Sequence, residues 1–328
     1  MRAILISLLV AVLAVAAWLA YGLLFPVGPR GPERFVLLRP GSSARHIARD
    51  LKGAGIIPSA SAFLAWHYWH GLPALKAGEY KFDHPAAARE VYNRIVEGDV
   101  YVHTVVIPEG YNIFDIANAL QAAGLGSRDD FLAITRSDVA LISDLDPQAP
   151  SLEGYLFPDT YEFTRTQSLQ DIAAAMVRRF RQESHQLRLD TDFHRVVTMA
   201  SIVEKETAVP AERPLVASVF YNRLHHNIVL ATDPSVIYAA LLAGRYDGVI
   251  HQSDLQFDSL YNTYRHRGLP PGPISNPGRD ALQAAMQPAS SDFLYFVSDH
   301  SGHHRFARTM QEHSRNVAAY RRAVATSR

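Results

Sequence analysis

The run from Ala3 to Phe25 is apolar apart from Ser7 and Gly22, and it fixes the surroundings in which the rest of the chain must fold. At about 1.5 Å per residue, a helix of this length reaches across the roughly 30 Å hydrocarbon core of a bilayer. Arg2 precedes it, and Trp18 and Tyr21 stand toward its far end, where interfacial aromatics gather. Pro26, Gly28, Pro29, Gly31 and Pro32 then stop any helix. The segment is either a cleaved signal peptide or a retained anchor. Its length favours the anchor, as does the position of the one small-x-small triplet, Ala14-Val15-Ala16, inside the run rather than at its end. Residues 1–25 thus read as a transmembrane anchor and 26–34 as a stalk. The expected topology is single-pass, with the short tail in the cytoplasm and the body outside.

The remaining 300 or so residues are enough for two or three modules. Charge is balanced, with 32 basic and 32 acidic residues, so no long-range field points to nucleic acid. Cysteine is absent, which removes thiol nucleophiles and thiolate metal sites. The doublets His225-His226 and His303-His304 lack the i,i+4 spacing that puts two ligands on one helix face. No metal and no cofactor is expected.

Two segments align without a gap at an offset of 69 residues. Val36 to Gly41, then Ile47-Ala48, Leu51 and Ala54-Gly55-Ile56, is echoed by Val105 to Gly110, Ile116-Ala117, Leu120 and Ala123-Gly124-Leu125. Each reads as a strand, a Gly turn, an amphipathic helix and a Gly just past its end. These units, at about 35–57 and 104–126, look like strand-helix pieces of the LysM kind within a region 35–150, or else a duplicated spacer. Gly78 to Phe82 alternates as a strand. Residues 86–97 and 131–142 read as helices. The loop Leu152 to Tyr161, with Glu153, Tyr155 and Asp159, is a packed hinge or a wall of a sugar cleft.

From Leu169 the pattern is mostly helical. Leu169 to Leu187 is one helix. Asp192 can cap a second, which ends before Pro210, because proline disfavours helical geometry at the residue ahead of it. Thr232-Asp233-Pro234 opens a further helix, with Asp233 either a capping group or part of a site. Gly268 to Pro277 is too rich in Gly and Pro for helix or inner strand and makes a stiff loop. Residues 293–297 and 304–307 form a small β-hairpin, and Thr309 to Glu312 has capping-box spacing. The fold class is α+β, with 151–328 as a mostly helical domain.

Glu204 lies near the end of the apolar helical run Val196 to Val203. A helix C-terminus and apolar neighbours both disfavour a carboxylate, so its pKa should rise, which suits a general acid. Glu206 lies roughly 200° around the helix and cannot face the same bond.

Ala200-Ser201-Ile202-Val203-Glu204-Lys205-Glu206-Thr207, Val219 to Leu224, Thr232-Asp233-Pro234, Tyr261-Asn262-Thr263-Tyr264 and Gly268 to Ile274, in that order, closely resemble the endolytic murein transglycosylase family, also called MltG or YceG-like. Tyr111 and Tyr155 stand where many of its members have tryptophan. The resemblance implies a bitopic protein of the bacterial inner membrane with a periplasmic body, cutting nascent peptidoglycan glycan strands between N-acetylmuramic acid and N-acetylglucosamine. It implies 1,6-anhydro ends, a role in ending glycan elongation, and Glu204 as the catalytic residue. Peptidoglycan synthases are expected partners. Glu153, Tyr155, Asp159, Asn222, Thr232, Asp233, Asn262, Tyr264 and Asn276 are the expected substrate-binding residues. The alternatives are a hydrolytic glycosidase with a second acid opposite Glu204, and a glycan-binding scaffold without activity.

Overall fold

The computed structural model describes residues 2–299 and 301–326. Met1, His300, Ser327 and Arg328, which the expected anchor, hairpin turn and catalytic region include, lie outside the described residues. The chain forms two compact units, one of residues 1–104 and 162–168, the other of 105–161 and 169–328.

The first unit begins with α1 (Arg2–Leu24) and continues through β1 (Arg34–Leu38), α2 (Ala44–Gly53), α3 (Ala60–Trp69), β2 (Gly78–Phe82) and α4 (Ala88–Glu97). Strands β1 and β2 pair antiparallel, Arg34 opposite Phe82 and Leu38 opposite Gly78. Leu38, Leu51, Phe63, Tyr80 and Ile95 fill the core beneath them. Helix α1 is long and apolar enough to cross a membrane, and its end packs on α3. A Cβ on Gly22 would sit 2.5 Å from the Ala62 Cβ, so only glycine allows this approach. The expected stalk is not a free spacer. Val27 exchanges both backbone hydrogen bonds with Ala86, at 3.0 and 3.1 Å, because the prolines that stop the helix leave an extended strand able to pair. The buried Glu79 carboxylate accepts from His103 Nε2 and Arg165 Nη1, at 2.7 and 2.8 Å.

The duplication is present in the backbone. Ser43 caps α2, and Asn112 caps α5 (Ile113–Ala122), which follows β3 (His103–Val106). Gly41 and Gly110 share φ 78°, and Gly55 and Gly124 have φ 68° and 70°. Ile56 N–H donates to Leu51 O and Leu125 N–H to Leu120 O, closing both helices alike. Each helix buries its matching triplet, Ile47, Ala48 and Leu51 or Ile116, Ala117 and Leu120. The two copies belong to different compact units: α2 packs within the first and α5 against α6 (Arg128–Ser137) in the second.

The second unit is mostly helical. After β4 (Thr160–Phe163), which pairs with β3, come α7 (Leu169–Leu187), α8 (Phe193–Glu206), α9 (Arg213–His225), α10 (Asp233–Leu242), the short α11 (Gln252–Leu255) and α12 (Arg279–Met286). The hairpin of β5 (Tyr295–Ser298) and β6 (His304–Ala307) and then α13 (Met310–Thr326) complete it, with Thr309 Oγ1 accepting from Glu312 N–H as its capping box requires. Asp192 does not cap α8 with its side chain; it sits in the left-handed region at φ 56°. Helix α8 is buried on nearly all sides, against α9, α10 and α12.

The Leu152 to Phe157 segment is packed, not open. Leu152, Tyr155 and Leu156 are fully buried, and Tyr155 donates to Asp146 Oδ2 at 2.7 Å. Gly154 holds φ 89°, and a Cβ there would meet Pro273 at 2.5 Å and Val197 at 2.8 Å. Strain at positive φ and overpacking add, so Gly154→Ala should cost roughly 3 kcal/mol of unfolding free energy, read as a lower urea midpoint.

Candidate active site

Helix α8 carries two carboxylates at its C-terminal end, and they face different surroundings. Glu204 uses both oxygens internally: Oε1 accepts from Arg213 Nη2 at 2.6 Å and Oε2 from Gly278 N–H at 2.9 Å. Its side chain is 5% exposed and that of Arg213 6%. Burial pushes its pKa up while Gly278 N–H and Arg213 pull it back. With both oxygens occupied, Glu204 is placed to hold α8 against the loop ahead of α12.

Glu206, the last residue of α8, lies on the floor of a cleft of about 470 Å³. Phe220 and Arg223 of α9, Asp233 at the start of α10, Tyr264, and His313 of α13 also line it. Loss of water around the carboxyl pushes its pKa up to about 7, and the nearby Asp233 carboxylate adds repulsion. Arg223 and a hydrogen bond from Thr232 only partly offset this. Thus Glu206, its pKa pushed up to about 7, lines an open cleft, while both oxygens of Glu204 are engaged by Arg213 and Gly278. The helix-end argument itself points there, because the effect is confined to the last turn.

The rest of the cleft is held by backbone contacts. Thr232 caps α10, its Oγ1 accepting from Ser235 N–H, while its own N–H donates to Thr263 Oγ1 at 3.0 Å. Ser235 Oγ and Thr263 Oγ1 are 2.8 Å apart and lock the two loops together. Tyr264 OH then donates to Asp233 Oδ1 at 2.6 Å. Arg223 donates to Leu294 O and Leu230 O, and its guanidinium lies 5.4 Å from the centre of the Tyr295 ring.

Of the residues expected at the site, Thr232, Asp233 and Tyr264 gather around this cleft; the others do not. Asn276 Oδ1 accepts from Gly154 and Leu156 N–H, and its Nδ2 donates to Glu153 and Tyr111 O, all at 2.9 Å. Glu153 also accepts from Ile113 N–H, and burial pushes it up to about 8. Asn262 donates to the carbonyls of Leu255 and Phe257, Asn222 to those of Ser291 and Phe293. Asp159 pairs with Arg179, and Tyr155 is enclosed. In each case a polar group judged free to meet sugar is satisfied by backbone or a charged neighbour. Arg223 is the residue of the cleft that sequence reasoning passed over. Its place three residues after Phe220 on α9, flanking the same cleft, is the signal that could have found it.

Comparisons with known proteins agree with this architecture. The profile described as the YceG-like family matches residues 36–319. The endolytic murein transglycosylase of Bacillus subtilis (strain 168) is 33% identical over 301 residues, 85% of this chain and 82% of that protein. The enzyme of that name from Streptococcus pneumoniae serotype 2 is 31% identical over 314 residues, covering 85% of this chain but 57% of its own. The crystal structure of a YceG-like protein from Listeria monocytogenes superposes with a TM-score of 0.57 at 34% identity, over 87% of this chain and 99% of that one. The chain belongs to the YceG-like family.

The two glutamates should separate by stability. Glu204→Ala leaves Arg213 buried with only the longer Glu109 and Asp280 contacts, at 3.4 and 3.9 Å, among the described residues, so it should lose about 3 kcal/mol in urea unfolding. Glu206 has the opposite sign. An acid whose folded pKa exceeds its unfolded one contributes fully below its ordinary 4.5 and loses that contribution as pH rises through about 7. Glu206→Gln cannot ionise, so relative to wild type it should gain roughly 3 kcal/mol between about pH 4.5 and 8.

Proposed function

We propose that this protein is an endolytic peptidoglycan lytic transglycosylase in which Glu206 takes the role expected of Glu204. The observation that carries the reading is a desolvated carboxyl, its pKa pushed up to about 7, on the floor of the cleft beside Asp233. The names of its relatives supply the substrate, the glycan of murein. Glu206 as acid protonates the glycosidic oxygen between N-acetylmuramic acid and N-acetylglucosamine. As carboxylate it then takes the proton from the muramoyl C6 hydroxyl while that oxygen attacks C1, leaving a 1,6-anhydro end and adding no water. The nucleophile belongs to the sugar, so holding O6 close to C1 supplies much of the rate. Asp233, fixed by Tyr264, offers negative charge to the oxocarbenium-like transition state.

Asp233 also gives the hydrolytic reading a foothold, since an inverting glycosidase places a second carboxylate across a water from the acid. Against it, Asp233 Oδ1 already accepts from Tyr264 and the residue stands in the first turn of α10. The scaffold reading has no comparable use for a proton held in a cleft.

The retained anchor is supported by the joint at its end, where Leu23 and Val27 are part of the first unit's packing. The orientation proposed is the one expected from the sequence, inner membrane with the body periplasmic. The duplicated strand-helix units serve as LysM-like glycan grips, and synthases remain the expected partners in ending glycan elongation.

Incubation of the full chain with uncross-linked glycan strands should yield fragments with anhydro ends by mass spectrometry; reducing ends would overturn the lytic reading. Glu206→Gln should lower the rate at least about 10³-fold, whereas Glu204→Gln, if it folds, should keep most of it. Equal loss in the reverse order would return the assignment to Glu204. The wild-type rate should decline above about pH 7, as Glu206 loses its proton.

A further inference from the structure

Away from the cleft, the first unit contains a groove of about 460 Å³ between the C-terminal turns of α1 and the face of α3. Leu19 and Leu23 form one wall, Ala65, Trp66 and Trp69 the other, and Ala20 part of the floor. Arg89 of α4 is the charged member of the lining. Two features of the groove are unexplained by the fold. Trp69 is 85% exposed, with Tyr68 and Leu72 beside it also open at 58% and 53%. Trp66 Nε1 is buried and finds no hydrogen-bond acceptor among the described residues, although a buried indole N–H normally has one.

We propose that this groove binds a phospholipid of the leaflet that meets the first unit, an acyl chain lying between α1 and α3 and the phosphate at Arg89. The proposal rests on α1 being a retained span. The groove is bounded by that span over Ala16 to Leu24, its last two turns or so, which lie at the boundary of hydrocarbon and headgroups. Trp66 and Trp69 then occupy the level that interfacial aromatics favour. Arg89 supplies the cation for the phosphate. The volume falls within the ordinary range for small-molecule sites, and its apolar walls match a chain of methylenes.

The chain has three tryptophans, so Trp18→Phe leaves Trp66 and Trp69 as its only indole reporters. That full-length protein, reconstituted in vesicles of phosphatidylglycerol brominated on its acyl chains, should show strong quenching relative to unbrominated vesicles. Filling the groove with Ala20→Leu and Ala65→Leu should remove most of the quenching while the protein still floats with the vesicles. Arg89→Glu, an exposed change, should weaken the preference for brominated phosphatidylglycerol over a brominated uncharged glycolipid by about fivefold. Quenching that is absent in floating protein, or undiminished in the filled variant, overturns the groove proposal while leaving the anchor intact. An unchanged lipid preference in Arg89→Glu overturns the phosphate assignment. Failure of the chain to float at all overturns the anchor reading and this proposal with it.

Discussion

The buried amide of Asn276 ties together three stretches of chain that are far apart in sequence. Its side chain serves Gly154 and Leu156 N–H, the Glu153 carboxyl and the Tyr111 carbonyl, and its backbone exchanges bonds with Gly110 and Tyr111. A buried polar group is tolerated only when satisfied, and here each partner satisfies the other. Ile274 N–H and Ser275 Oγ then bond to Ser201 of α8, which sets the end of that helix. The position of Glu206 follows from this network although none of its members touches the cleft.

The chemistry of the cleft depends on an imbalance of charge. Arg223 is the nearest cation, yet it is engaged by two carbonyls and an aromatic ring and only partly offsets desolvation and the repulsion from Asp233. Two residues back, Glu204 meets Arg213 directly and a backbone N–H as well. One helix end therefore presents two glutamates in different surroundings, one tied to a cation and a backbone N–H and one lining the cleft beside Asp233. Separation by half a turn is enough to divide them, because α8 packs against different elements on its different faces.

Much of the local structure was legible because it rests on near-neighbour rules. The β2 and α7 boundaries, the Thr232 cap before Pro234, and the twin Gly turns and helix closures of the duplication were all readable from periodicity and capping residues. What was not legible depends on long-range satisfaction of polar groups. Asn276 and Glu153 have the residue types of a sugar site, but their partners lie up to about 165 positions away in the chain and no local pattern reveals them. The difference in surroundings between Glu204 and Glu206 was hidden as well: Arg213, which pairs with Glu204, comes after a proline turn and carries no signature of pairing. Helix α3 was missed because its aromatic-rich sequence has no polar face to mark a period.

The joint between α1 and the first unit has a mechanical meaning. Gly22 against Ala62 and Val27 against Ala86 leave no slack where a tether would be expected. A hydrophobic span that must match its bilayer does so by tilting or by thinning the lipid around it. With α1 retained in the bilayer as proposed and no swivel at its end, any such tilt is carried into the first unit, so bilayer thickness would set the pose in which that unit is presented.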